Sequence, residues 1–186
     1  MGTVGLGHWV AAILIPAMLF ASWNDYRRHR VPNWLNLSIL CTGVALHAWM
    51  FGWSGVGSSF QGVGVGFGCL FVFWMMRVMG AGDVKFMAAV GAWLGPAATF
   101  QAVLVGGLVG GVLAIGVIAY QKNFLQTYMN MGVVMRKVGS FKSAFGEDGS
   151  YKELSLGGTA MPYAIPLTIG TLCVLVSNFY GWGGLQ

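Results

Sequence analysis

Blocks of apolar residues follow one another along the chain, most of them about as long as a bilayer's hydrocarbon core is thick, and polar residues sit in the gaps. The first block runs from Trp9 to Asn24 and ends in Asn24-Asp25-Tyr26-Arg27-Arg28-His29-Arg30. Pro32 disfavours helix at Val31 and suits a fresh helix start, so a second helix is expected from Trp34 to Phe51. An uncharged stretch, Gly52 to Gly57, separates it from a third helix over Phe60 to Met79. There Gly62 and Gly66 are four apart, as are Gly64 and Gly68, which gives two small-residue patches for close packing. A fourth helix runs from Asp83 to Leu94 or Ala98, short for the hydrocarbon core, and is ended or bent at Gly95-Pro96. The fifth covers Phe100 to Ala119, with Gly106, Gly107, Gly110 and Gly111 as a further packing face. The sixth covers Met161 to Tyr180 with an irregular start at Pro162 and Pro166.

One long polar segment interrupts the pattern, 121–158, between the fifth and sixth helices. Phe124, Tyr128, Met131, Met135 and Val138 recur in it at helical spacing beside Arg136, Lys137 and Lys142. It reads either as a helix lying on an anionic membrane surface or as a solvated linker.

The charges then orient the chain. Numbered in order, the odd loops hold Arg27, Arg28 and Arg30, then Arg77 and Lys85, then Lys122, Arg136, Lys137, Lys142 and Lys152, which is every lysine and arginine present. The even loops and both termini hold none. Basic loops face the cytoplasm, so the expected fold is an all-α polytopic membrane protein with six transmembrane helices and both termini extracytoplasmic. The first helix is not expected to be a cleaved signal, because it has no basic flank before it and no A-x-A site after it. A single membrane domain is expected to cover 1–186, with 121–158 as a cytoplasmic or membrane-surface loop.

Composition agrees with this picture: 56% of residues are hydrophobic and 8% charged, against roughly a quarter charged in a soluble domain. The net charge of +5 is accounted for by topology, so no nucleic-acid partner is expected. Cys41, Cys69 and Cys173 lie in apolar runs without a C-x-x-C pair, and no metal or other cofactor is expected.

Asp25 and Asp83 stand apart from the loop acids Glu147, Asp148 and Glu153, because both fall at helix ends on the cytoplasmic face. An acid beside a membrane segment is costly unless it is paired, hydrated or used. Two aspartates brought together cannot readily both ionise, and the pair holds one proton between them. Such a pair suits peptide hydrolysis: the ionised member takes a proton from water while the protonated one hydrogen-bonds the scissile carbonyl. The competing account has Asp83 capping the fourth helix and Asp25 pairing with Arg27 or Arg28. The residues alone leave both open.

Three motifs in order carry a resemblance. Gly80-Ala81-Gly82-Asp83-Val84-Lys85 resembles the G-x-G-D-x-K motif of the type IV prepilin peptidases, which are bacterial membrane aspartic proteases of the GxGD class. Asp25, with its basic run and Val31-Pro32-Asn33, resembles that family's first catalytic aspartate and the segment after it. Met161-Pro162-Tyr163-Ala164-Ile165-Pro166 is similar to the family's P-Y-A-P element, with one extra residue before the second proline. Asn33 stands where the larger family members carry an aspartate. Nothing corresponds to their zinc-binding N-terminal segment, so the closest likeness is to the short protease-only branch serving tight-adherence (Flp, type IVb) pili.

The resemblance implies an endopeptidase of the bacterial inner membrane that removes the leader of prepilins at the cytoplasmic face, without N-methyltransferase activity. Asp25 and Asp83 are its implied catalytic pair. Gly80, Gly82 and Lys85 are implied supporting or substrate-binding residues. Its expected partners are prepilins, pilin-like proteins and the lipid bilayer, with the oligomeric state open. The alternatives are another GxGD-type protease of the preflagellin-like kind, and a non-enzymatic proton-coupled transporter or pilus-assembly scaffold.

Overall fold

A computed structural model of the chain describes residues 10–28, 32–75, 79–120 and 163–179. Each element in them is a helix. We label these α1 (Ile15–Arg28, entered through a π-helical turn at Val10–Leu14), α2 (Asn33–Met75), α3 (Ala81–Tyr120) and α4 (Ala164–Phe179). The wide turn before α1 has a local cause. Pro16 has no N–H to offer the carbonyl four residues back, and its ring crowds that carbonyl in an ordinary α turn.

The helices differ from the expected segments in informative ways. The expected loop from Gly52 to Gly57 is helical except at one residue, Gly52 (φ 61, ψ −141), so the second and third expected helices are two arms of α2. Only a glycine takes that left-handed backbone cheaply, and it turns the chain in a single step. Gly95 (φ 72, ψ 177) breaks α3 in the same way, and Pro96 opens the following arm, where its missing N–H costs nothing. The first helix runs on past Asn24 to Arg28, so Asp25 is a helical residue. The Arg27 guanidinium lies 4.8 Å from the centre of the Trp23 ring, one turn earlier, and steadies this last turn. The fourth expected helix begins at Ala81 rather than Asp83. The polar segment 121–158, with its expected surface helix, lies outside the described residues, as do Met161 and Pro162.

Contacts give the directions of the arms. Asn36 reaches Gly82, while Ile39 and Gly43 meet Trp93, so the first arm of α2 runs parallel to the first arm of α3. Ser59 bonds Ala92, Gly62 lies against Gly91, and Gly66 against Met87, so the second arm runs the other way. The chain therefore reverses at Gly52. Helix α4 runs antiparallel to the second arm of α3, with Gly170 against Ala102 and Gly106, and Gly110 near Pro166. It is also antiparallel to α1, where Ser22 and Thr168 share a hydroxyl hydrogen bond of 2.7 Å and Asp25 meets Ala164. From Gly111 to Met161 the chain forms a second unit, of which only the end of α3 is described.

Trp93, Phe86, Met87, Leu14 and Met18 fill the core of the first unit. Outside it stand Trp49, Trp53, Leu37 and Leu104, all largely exposed. That much bare apolar surface suits lipid rather than water. Among the described residues two helices, Asn33–Met75 and Ala81–Gly116, are long and apolar enough to cross a membrane, and Ala164–Asn178 is a shorter apolar helix.

Candidate active site

The helix directions bring four helix ends to one end of the bundle: the close of α1 and the starts of α2, α3 and α4. Each contributes a polar group, and sequence chemistry explains why each sits where it does. Helix α2 starts directly after Pro32, whose carbonyl accepts the N–H groups of Leu35 and Asn36. Helix α3 starts after Gly80, whose carbonyl accepts the Asp83 N–H at 3.2 Å.

Asp83 lies in the first turn of α3, 8% exposed. Its carboxylate turns back and accepts the Gly80 N–H, as the third residue of a helix does in a capping box. The capping role weighed from sequence is therefore real, and it fixes where the carboxylate points. Gly80 makes room for it: a Cβ there would stand 3.3 Å from Asp83 Oδ2.

Asp25 is 5% exposed in the last turn of α1. Its Oδ2 accepts the backbone N–H of Ala164 at 3.2 Å and so satisfies an orphan donor at the start of α4. The two carboxylates come from helices far apart in sequence, yet they are near enough that the charge of Asp25 acts on Asp83. Two buried acids at such range resist double ionisation.

Tyr163, the residue before α4, is half-buried and lies near enough to Asp83 to feel its charge. Lys85 is exposed. It lies two residues past Asp83, on the opposite side of the helix, and makes no ion pair with it among the described residues. Gly82 offers its carbonyl to Asn36 Nδ2 at 3.4 Å. No group of three or more metal-ligating side chains occurs among the described residues.

The structure thus brings together Asp25, Asp83, Gly80 and Gly82, leaves Lys85 at the edge, and adds two residues that sequence reasoning passed over as site residues. Tyr163 was visible in the motif around Pro162. Asn36 carried a weaker signal, an amide in the apolar run Trp34-Leu35-Asn36-Leu37.

The type IV leader peptidase family matches residues 12–115, which span α1, α2 and most of α3 and carry both aspartates. The chain belongs to this family. The prepilin leader peptidase/N-methyltransferase of Aeromonas salmonicida (strain A449) is 30% identical over 123 residues, covering 62% of this chain and 42% of the relative. The protein of the same description from Aeromonas hydrophila is 30% identical over 121 residues, 61% of this chain and 41% of the relative. The chain spans less than half the length of these curated relatives. No solved structure matches it.

Proposed function

We propose that this family member is a membrane aspartic endopeptidase that removes the N-terminal leader of prepilins of the Flp type. The observation that carries the proposal is the approach of Asp25 to Asp83, two buried acids from separate helices close enough for the charge of one to act on the other, at the end of the bundle where three helices begin. In the proposed reaction the ionised member of the pair takes a proton from water, whose oxygen attacks the scissile carbonyl carbon. The protonated member gives its hydrogen to the carbonyl oxygen, and collapse of the tetrahedral species returns a proton to the departing amine. No covalent enzyme intermediate is needed. Gly80 leaves space beside Asp83 for an extended chain, and Lys85 at the rim is available to a polar part of the substrate.

The distribution of lysine and arginine supports six crossings, both termini outside, and a site at the cytoplasmic face of the inner membrane. In this topology the first and second arms of α2 and of α3 are separate crossings, 1–186 is one membrane domain, and 121–158 is a cytoplasmic or surface loop. A prepilin has a polar leader in the cytoplasm and an apolar helix in the bilayer, and the bond between them would arrive at the rim where the pair sits.

Co-expression with a Flp-type prepilin is expected to yield a shortened product that begins at the junction of leader and apolar helix and carries no added methyl group, as read by mass and N-terminal sequencing. Uncut prepilin in cells whose membranes hold the protein would overturn the proposal. Equal cutting of an unrelated transmembrane stub would point to a broader GxGD-type protease, and a methylated product would remove the protease-only assignment. Substitution of Gly80 supplies a graded check. Gly80→Val puts branched carbons against Asp83 Oδ2 and in the substrate's path, and cleavage is expected to fall by about tenfold or more while insertion stays normal. Unchanged cleavage would show that the space beside Asp83 is not used.

A further inference from the structure

Asn36 is a buried polar side chain at the site to which the acid pair gives no task. It lies in the first turn of α2 and is 5% exposed. Its Nδ2–H donates to the carbonyl of Gly82, the residue before Asp83. That bond fixes which way the amide faces, because a flip would set oxygen against oxygen. Oδ1 is then the outstanding atom, and it has no hydrogen-bond partner among the described residues. A buried acceptor left unpaired opposes folding, and one that persists beside a reacting centre needs an explanation.

On the leader-peptidase reading above, we propose that Asn36 binds the main chain of the substrate. Its Oδ1, closed to solvent in the free protein, accepts one peptide N–H beside the scissile bond once the substrate parts the helix starts around it, while its Nδ2 holds the Gly82 carbonyl and with it the turn that carries Asp83. The chemistry of the neighbours selects this partner. The carboxylates are committed to water and to the carbonyl oxygen, so neither is free to fix the substrate's position along the site. An extended peptide presents N–H donors at regular intervals, and a neutral amide oxygen takes one without bringing further charge next to two acids. Because it reads the main chain, such a contact decides which peptide bond reaches the pair rather than which side chains flank it. A bond that forms equally in ground and transition states is felt mainly in KM.

The test uses the full chain in detergent and synthetic leader–helix peptides in which each non-scissile amide near the cut is replaced in turn by an ester, which removes the N–H. With the wild-type protein, one ester position is expected to lower kcat/KM by about tenfold, chiefly through KM. Asn36→Leu and Asn36→Ala are expected to lose a similar factor on the all-amide peptide and to be indifferent to that one ester. Variants that keep the full ester penalty would overturn the proposal. So would a wild-type protein that tolerates every ester within about twofold, and this arm decides the matter even if both variants misfold. An Asn36 with only a structural task would alter yield or melting temperature without any loss tied to one N–H. A wild-type protein that cuts no leader peptide at all would refute the peptidase reading itself, an outcome distinct from normal cutting with no ester effect.

Discussion

Asp25→Asn and Asp83→Asn are each expected to reduce leader cleavage by about a thousandfold or more, the scale of general acid–base catalysis, while the protein still inserts. Asparagine keeps the shape of the side chain and removes its ability to ionise. At position 25 it also keeps an oxygen for the Ala164 N–H, so α4 should start normally in that variant. Asp25→Ala removes charge and acceptor together, and is expected to lower stability by an additional ~1–2 kcal/mol as a buried donor is orphaned. Comparing the three by product mass at equal amounts of membrane protein separates chemistry from helix anchoring. Cleavage by either asparagine variant within about tenfold of wild type would remove that residue from the catalytic pair. In the unaltered protein the rate should fall towards both acid and alkaline pH, because the pair works with one proton and is idle with two or none.

The second large effect concerns stability and sets one glycine against its neighbour two positions along. Gly62 and Gly91 place their backbones in direct contact where the second arm of α2 crosses α3, and a Cβ on Gly62 would run into the Gly91 carbonyl. Backbone cannot step aside as a side chain can, so Gly62→Ala must push two helices apart, at a cost of about 1–3 kcal/mol. Gly64 has open space around it. Gly64→Ala relieves the entropic cost of a mid-helix glycine and should be neutral or stabilising by up to ~1 kcal/mol. Melting in detergent is the measurement. A Gly62→Ala protein that melts with wild type would show that the two arms do not meet as described.

That contrast also marks what the residues disclose on their own. Spacing identified two glycine patches on this arm, Gly62 with Gly66 and Gly64 with Gly68. It did not distinguish them, because which face meets a neighbour depends on a helix distant in sequence. Of the two, only Gly62 and Gly66 lie against α3. Long apolar blocks are a strong local signal, and they made the helical character legible. Gly52 and Gly95 were less so: a glycine that reverses a helix looks like one that merely opens a loop until its backbone angles are known. At the site, Asp25 and Asp83 stood out as acids in apolar surroundings. Asn36 did not, since its significance lies in the Gly82 carbonyl it holds, and Tyr163 showed only as part of the motif around Pro162. Lys85 sits in the motif yet away from the Asp83 face, because a spacing of two residues turns a helix by more than half a circle.

The bond between the Asp25 carboxylate and the Ala164 N–H has a consequence for the order of events during synthesis. Both acids are translated before the backbone group that seats one of them. Until α4 is delivered, Asp25 lacks the N–H donor that Ala164 gives it, so on the proposed reading the acid pair takes its final setting only after the helix that holds it has been made.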